Sequence, residues 1–319
     1  MKIFVTGGAG FIGSHFIKLL VKAHPNGKVI NFDLLTYAGG RDNLKEVSSL
    51  KNYRFIKGDV RNAQQVKKAM AGCDSVVHFA AETHVDRSIK NANNFIETNI
   101  LGTHVLLEAA RKEKIKRFVH VSTDEVYGSR RKGFFKEEDS LSPSSPYSAS
   151  KASADLLVKS YFTTYGLPVI ITRSSNNFGP NQYPEKVIPL FITRLLKGKK
   201  VPLYADGSNI RDWIYVEDNC RAIDLALRKG TIGEIYNIAA ENYLTNAFLT
   251  KAILRAMKKP ISMIQHVQDR PGHDFRYAIN CAKIRKLGFS PKISFVEGLG
   301  RTISWYGENQ SWWKKRNSR

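Results

Sequence analysis

Through its first half the chain alternates short apolar runs with amphipathic stretches, and nothing else in its 319 residues limits the possible folds so sharply. Residues 3–6, 29–33, 54–57, 75–79, 117–121 and 169–172 are mostly β-branched and apolar and are bounded by turn residues, which reads as strands. Between them, residues 11–22, 63–70, 99–111 and 148–165 carry helical spacing. Strand and helix in strict alternation imply crossover connections, hence a parallel sheet covered on both faces. The fold class expected is α/β, with a doubly wound parallel sheet. After about residue 175 prolines at 180, 184, 189, 202, 260, 271 and 291 punctuate shorter elements. Segments 195–204 and 211–216, a helix-like 217–228 and a strand-like 235–238 suggest that the chain leaves the sheet, returns to it and leaves again. The division expected is 1–175 plus about 213–240 in the doubly wound domain. About 176–212 plus 241–319 would form a smaller, discontinuous α/β domain.

The first strand runs into Thr6-Gly7-Gly8-Ala9-Gly10-Phe11-Ile12-Gly13. Glycines at 7, 10 and 13 permit a tight turn, let backbone approach a pyrophosphate and allow close helix packing, and the N–H groups at the helix start bind the anion. This is the phosphate-binding turn of a Rossmann-type domain. Asp33 ends the second strand 20 residues after Gly13, where a carboxylate accepts bonds from the adenosine ribose hydroxyls and repels a 2′-phosphate. NAD is therefore the cofactor expected. Asp59 and Val60, after the third strand, fall at the same sheet edge.

Two further motifs carry chemistry. Tyr147 and Lys151 lie four apart at the start of the helix expected over 148–165, so their side chains share one face. A phenol titrates at about 10, and bringing it near 7 takes roughly 4 kcal/mol of preference for the phenolate. Lys151 and a nicotinamide cation would supply it, making Tyr147 a general base. Pro146 behind the serine-rich 142–145 also reads as a plain helix cap. Thr123, Asp124 and Glu125 follow a strand end, where ligands bind in such folds. Two carboxylates in one cleft diverge in pKa, one kept as an acid and the other acting as a base.

Composition excludes several classes. The three cysteines, Cys73, Cys220 and Cys281, have no paired spacing, so neither a disulfide framework nor a metal site is expected, and a reducing cytoplasm fits. Met1-Lys2 passes directly into an apolar run without the order of a secretory signal, and charged or amide residues interrupt every candidate membrane span. The balance of 50 Lys plus Arg against 28 Asp plus Glu gives +22, spread over helix faces and a short basic tail. Such a field attracts phosphorylated molecules without defining a partner, and no specific nucleic acid is expected.

Taken together, TGGAGFIGS, NFDLLTYAG, HFAAETHVDRSI, VSTDEVYGS, SPYSASKASAD, RSSNNFGPNQYPEKVIPLF, DGSNIRDWIYVED and DRPGHDFRYAIN resemble the extended short-chain dehydrogenases and, within them, the dTDP-glucose 4,6-dehydratases. The likeness covers almost the whole chain. It implies a hydro-lyase that uses and regenerates NAD within one turnover, turning a nucleotide-activated glucose into its 4-keto-6-deoxy derivative. Tyr147 would take the O4 proton, Glu125 the C5 proton, and Asp124 would protonate the departing C6 hydroxyl. Thr123 would hydrogen-bond the O4 region, and Lys151 would hold the nicotinamide ribose. Besides Gly7, Gly10, Gly13 and Asp33, the cofactor would meet Phe11, Ile12, Asp59, Val60, Ala80, Ala81, Thr98, Tyr147, Lys151 and Asn177. The sugar nucleotide would meet Thr83, Thr123, Asn176, Lys186, Val187, Pro202, Tyr204, Arg211, Asn246, Arg270 and His273. Among these Lys186, Arg211 and Arg270 suit a pyrophosphate, and Tyr204 offers a face for a pyrimidine.

The chain departs from that pattern at Thr83, where serine is usual, at Tyr215 and Asn219, where histidines are common, and at Phe275, where arginine often follows the His-Asp pair. The resemblance also implies a homodimer, with 96–111 and 153–165 as candidate helix surfaces. Two other functions compete: a UDP-sugar 4-epimerase or decarboxylase of the same fold, and a non-enzymatic NAD-binding protein with a nucleic-acid-binding basic surface. An epimerase has no hydroxyl to expel and so no use for Asp124-Glu125, and a pure binder has no use for Tyr147 and Lys151.

Overall fold

The structure is a computed structural model that describes residues 1–269 and 271–317. Its strands are β1 (Lys2–Thr6), β2 (Lys28–Asp33), β3 (Tyr53–Lys57), β4 (Ser75–His78), β5 (Arg117–Thr123), β6 (Val169–Ser174), β7 (Asn176–Phe178), β8 (Val201–Tyr204), β9 (Ile210–Tyr215), β10 (Ile235–Ile238), β11 (Tyr243–Thr245) and β12 (Ile264–Val267). Its α-helices are α1 (Phe11–Ala23), α2 (Ala63–Met70), α3 (Val85–Lys90), α4 (Asn93–Phe95), α5 (Gly102–Lys112), α6 (Pro146–Tyr165), α7 (Val187–Leu196), α8 (Val216–Lys229), α9 (Asn246–Ala256), α10 (Ala282–Lys286), α11 (Phe295–Glu308) and α12 (Gln310–Asn317).

Seven strands form a parallel sheet in the order β3-β2-β1-β4-β5-β6-β10. Alternate residues of each strand feed opposite cores, as the two-residue period requires. Val5, Val119 and Ile170 pack with Phe16 and Ile17 of α1 and Ile223 and Leu227 of α8. Phe4, Phe118 and Ile171 pack on the other face with Met70, Leu106 and Val158 of α2, α5 and α6. The doubly wound α/β expectation therefore holds. A separate core gathers Phe178, Phe191, Trp213, Leu249, Leu299, Tyr306 and Trp313, around the three-stranded sheet β11-β9-β7 and the pair β12-β8.

Three local differences from the sequence expectation have physical causes. The helix expected over 99–111 begins earlier as a π-helical turn, Ile96–Leu101, before α5. The wide turn buries Asn99, whose amide bonds the Glu82 backbone in both directions and the Ser150 hydroxyl on α6. Segment 195–204 is divided: Leu195 belongs to the last turn of α7, a positive-φ Gly198 breaks the chain, and only Val201–Tyr204 is strand. Finally, β5 extends to Thr123 because it pairs that far with Ser174 of β6.

Candidate active site

The strand order reverses between β1 and β4, which opens a crevice at their carboxyl ends. Gly7, Gly10, Phe11, Ile12 and Gly13 line it at the first turn, followed by Asp33, Asp59, Val60, Ala80, Ala81, Thr98 and Asn177. Gly7 has φ +67, and a Cβ there would strike the Ala80 backbone; one on Gly13 would strike the Gly7 carbonyl oxygen. Backbone is thus exposed to the cleft where side chains cannot fit. Helix α1 starts over it with neither a capping side chain nor an acidic residue in its first turn, leaving an N-terminus suited to an anion.

Asp33 is buried at the end of β2, accepting the Ala9 N–H at 2.9 Å and the Leu35 N–H at 2.7 Å, one on each oxygen. Burial pushes its carboxyl up, and the two backbone bonds pull the other way. Ribose hydroxyls donating to the remaining lone pairs would favour the carboxylate further.

Thr123, Asp124, Glu125, Tyr147 and Lys151 line the same cavity. Thr123 closes β5 and N-caps a short 3₁₀ turn, Asp124–Tyr127, its hydroxyl accepting the Glu125 N–H at 3.2 Å. That turn sends the adjacent carboxylates into different environments. Asp124 is 2% exposed, whereas Glu125 is only partly buried. Burial, followed by the charge of Glu125, holds the Asp124 carboxyl well above the usual carboxylate range. Asp124 Oδ1 accepts the Thr123 hydroxyl at 3.3 Å, while Oδ2 is buried with no hydrogen-bond partner among the described residues.

Helix α6 presents the other pair. Pro146 sits at its first position, Ser145 and Ser148 form a reciprocal capping box, and Gly166 ends it in the left-handed conformation. The cap reading of 142–146 and the placement of Tyr147 and Lys151 are therefore two aspects of one helix start. Lys151 is buried and donates to the Val121 carbonyl at 2.8 Å, which leaves two ammonium donors; burial lowers it to about 8, opposed by the charge of Asp155. Without a cofactor, the surroundings of Tyr147 act against its phenolate. Burial pushes its phenol up, the charges of Glu125 and Asp124 add to this, and a hydrogen bond with Thr123 pulls down. The protein alone does not favour the phenolate, because desolvation and the neighbouring carboxylates outweigh the bond with Thr123. A bound cation would act in the opposite direction.

Of the residues assigned to the sugar nucleotide, Thr83, Asn176 and Lys186 also line this cavity. Lys186 reaches across to donate to the Thr83 carbonyl at 2.6 Å and precedes α7, which Val187 opens. Pro202 and Tyr204 lie on β8 and Asn246 begins α9. Tyr204 packs edge-on against His273, which pairs with Asp269 at 2.6 Å. Arg211, on β9, is buried beneath the Tyr277 ring and donates to the carbonyls of Ile210, Asp274 and Phe275. Most of its donor capacity is engaged by backbone. Arg270 lies outside the described residues. The cavity also contains Ser122, Ser175, Gln182, Tyr183 and Glu185. All but Ser175 and Ser122 belong to the NQYPEK stretch, whose position after a strand end was the available signal.

The family model for GDP-mannose 4,6 dehydratase matches residues 4–302. A dTDP-glucose 4,6-dehydratase of Streptomyces niveus is 49% identical over 100% of this chain and 96% of its own. The crystal structure of DesIV, a dTDP-glucose 4,6-dehydratase of Streptomyces venezuelae with NAD bound, superposes with a TM-score of 0.97 at 50% identity, covering 99% of this chain and 100% of that one. A UDP-glucose 4-epimerase of Thermus thermophilus in complex with NAD superposes at 0.89 but with 32% identity, covering 97% of this chain and 100% of that one. The chain therefore belongs to the GDP-mannose 4,6 dehydratase family, within the extended short-chain dehydrogenases, and groups with its dTDP-glucose 4,6-dehydratases.

Proposed function

We propose that this chain is an NAD-dependent hydro-lyase that converts dTDP-glucose to the 4-keto-6-deoxy sugar nucleotide. The observation that carries this reading is the placement of Asp124: a sealed carboxyl that burial holds well above the usual carboxylate range, directly beside a more exposed Glu125, in one cavity with Tyr147 and Lys151. A 4-epimerase of the same fold needs only the latter pair. The glycine cradle, the open start of α1 and the buried Asp33 fit a dinucleotide with a free 2′-hydroxyl. NAD, when bound, accepts a hydride from sugar C4, returns one to C6 and brings a positive charge close to Tyr147.

In this reading Lys151 uses its remaining N–H donors to hold the nicotinamide ribose, and Tyr147, as phenolate, removes the O4 proton. The resulting C4 carbonyl acidifies C5, where Glu125 acts as base. Asp124 gives its proton to the C6 hydroxyl, which leaves as water. Thr123 bonds the O4 region, and Thr83 keeps a hydroxyl where serine is usual. The test is to incubate purified protein with dTDP-glucose and, separately, UDP-glucose in deuterated water. Loss of water with deuterium at C5, faster with the dTDP sugar, is the expected result; a galactose isomer would establish the epimerase instead.

A homodimer belongs to the same reading. Ile96, Leu101, Leu156, Phe162 and Tyr165 are all exposed on the turn before α5 and on α6, an apolar surface that a second copy of these helices would cover. The cofactor domain would comprise 1–175 plus about 213–240, and the sugar-nucleotide domain about 176–212 plus 241–319. That β10 joins the main sheet while β7 and β11 belong to another supports this division. A cytoplasmic location is supported by three buried, free cysteines and by the absence, among the described residues, of a helix long and apolar enough to cross a membrane.

A further inference from the structure

Basic residues are spread widely along the sequence, but folding gathers six of them around one cleft outside the active site. Lys2, Lys28, Lys51, Arg54, Lys57 and Lys68 line a concavity of about 710 Å³ between α2 and the free edge of the main sheet, and no carboxylate lines it with them. Strand register explains the gathering. Lys2 of β1 lies directly beside Lys28 of β2, and Ile30 of β2 lies beside Arg54 of β3. Side chains two apart on a strand share a face. Phe4, Ile30 and Phe32 pack with Val66 and Met70 of α2, so Lys2, Lys28 and Arg54 stand on that same side of three adjacent strands. Lys68 comes from α2, Lys51 from the turn before β3, and Lys57 from the end of β3.

Many cations elsewhere meet acidic partners: Lys18 and Lys22 pair with Glu46, Arg111 with Glu108, Arg228 with Asp224 and Arg301 with Glu297. Around the cleft they do not. Lys2 spends one ammonium donor on the Ala71 carbonyl at 2.8 Å. The side chains of Lys28, Lys51, Arg54, Lys57 and Lys68 are exposed and have neither an ion pair nor a hydrogen bond among the described residues. Asp74 accepts the Lys2 backbone N–H at 2.7 Å, but it is paired with Lys116 and stands outside the lining. Neighbouring strands lie only about 4.8 Å apart, so like charges carried side by side on them repel. An anion in the cleft relieves that repulsion, and low-dielectric walls concentrate the field that attracts it.

We propose that this cleft is a second ligand site, which takes a short polyphosphate chain, free or carried on a nucleoside. Its volume falls within the roughly 300–1,000 Å³ of small-molecule sites. A planar membrane surface cannot enter such a concavity. A phosphate chain places several negative charges along a narrow backbone, and cations arriving from three strands and a helix can each make a charge-assisted bond to its oxygens. None of the six residues lines the cofactor cleft, so the proposal stands independently of the dehydratase reading.

The experiment is calorimetric titration of the NAD-saturated protein with tripolyphosphate and, separately, with ATP. Salt at about 0.15 M limits the reach of exposed charges to roughly 8 Å and so suppresses diffuse attraction to the +22 surface. The combined Lys51→Gln, Arg54→Gln, Lys68→Gln variant is compared with a Lys199→Gln, Lys259→Gln, Lys286→Gln variant, which removes three exposed cations from outside the cleft. Wild type should bind one chain per protein, the cleft variant should bind on the order of 10- to 100-fold more weakly, and the control should stay within about twofold of wild type. ATP binding more tightly than tripolyphosphate would assign the nucleoside-borne source, and equal binding the chain alone. Should the cleft variant fail to fold, Arg54→Gln by itself is expected to weaken binding about threefold. Equal losses in the cleft and control variants, or binding that never saturates, would overturn the site. A single-stranded oligonucleotide that binds more tightly than tripolyphosphate and is lost in the cleft variant would overturn the polyphosphate assignment in favour of a nucleic-acid surface.

Discussion

Arg173 donates through Nε to Asp155 at 2.9 Å, and both side chains are buried beneath the catalytic turn of α6, one turn beyond Lys151. Burial pushes Asp155 up, but His120, 3.4 Å away, and the charge of Arg173 outweigh it and hold the carboxylate. Arg173 also lies over the Tyr127 ring, tying β6 to the turn that carries Asp124 and Glu125. Removing one partner strands a buried charge, so Asp155→Ala should cost about 3–5 kcal/mol in urea denaturation. A loss under about 1 kcal/mol would show that the pair contributes little.

Lys151 gives opposite pH signatures in activity and stability. Its charge is lost above about 8, so turnover should fall on the alkaline side of that value if the ammonium holds the ribose. In the unfolded chain the lysine keeps its proton to about 10.5. Between these two values the unfolded state binds more protons, and the contribution of Lys151 to stability rises with pH, by up to about 3 kcal/mol. Comparing Lys151→Met with wild type by denaturation across that window isolates the effect: the advantage of the variant at pH 7 should shrink toward pH 10. A constant difference would contradict it.

Asp124→Asn and Glu125→Gln should separate elimination from proton abstraction. With Glu125 intact, the asparagine variant should still exchange the C5 hydrogen for deuterium while dehydration drops on the order of 10²-fold or more. The glutamine variant should lose both. Retained dehydration in Asp124→Asn, followed by NMR, would remove Asp124 from the acid role.

Asp33→Ala should weaken NAD on the order of 10- to 100-fold, the worth of bonds to a charged acceptor, and should narrow the preference over NADP. Equilibrium titration of the two cofactors by protein fluorescence measures both. An unchanged ratio of affinities would locate 2′-phosphate discrimination elsewhere.

Leu156 is 60% exposed in the middle of α6. If α5 and α6 pair with their copies, Leu156→Arg should shift sedimentation from dimer to monomer with little change in single-chain stability. A wild-type monomer would dismiss the dimer outright.

The strand and helix pattern was readable because it is local. Period-2 and period-3.6 spacing records which face of each element is covered, and the glycines at 7, 10 and 13 record where backbone must approach something closely. Asp33 was readable by its distance from those glycines. Lys151 beside Tyr147 was readable too, but its effect was not. Four residues of separation sets proximity on a helix, whereas the direction of a pKa shift depends on how much water the packed neighbours exclude.

By itself the sequence determined the alternation of elements, the phosphate turn and the residue types gathered at the sheet's carboxyl edge. Tertiary structure alone decided that Asp124 would be sealed and Glu125 more open, that Arg211 would turn to backbone carbonyls, and that Trp312 and Arg316 of α12 would reach back to Asn43 and Asp42. These outcomes join residues scores to hundreds of positions apart. No periodicity encodes them, because burial and long-range polar pairing exist only after the chain has closed on itself and excluded solvent.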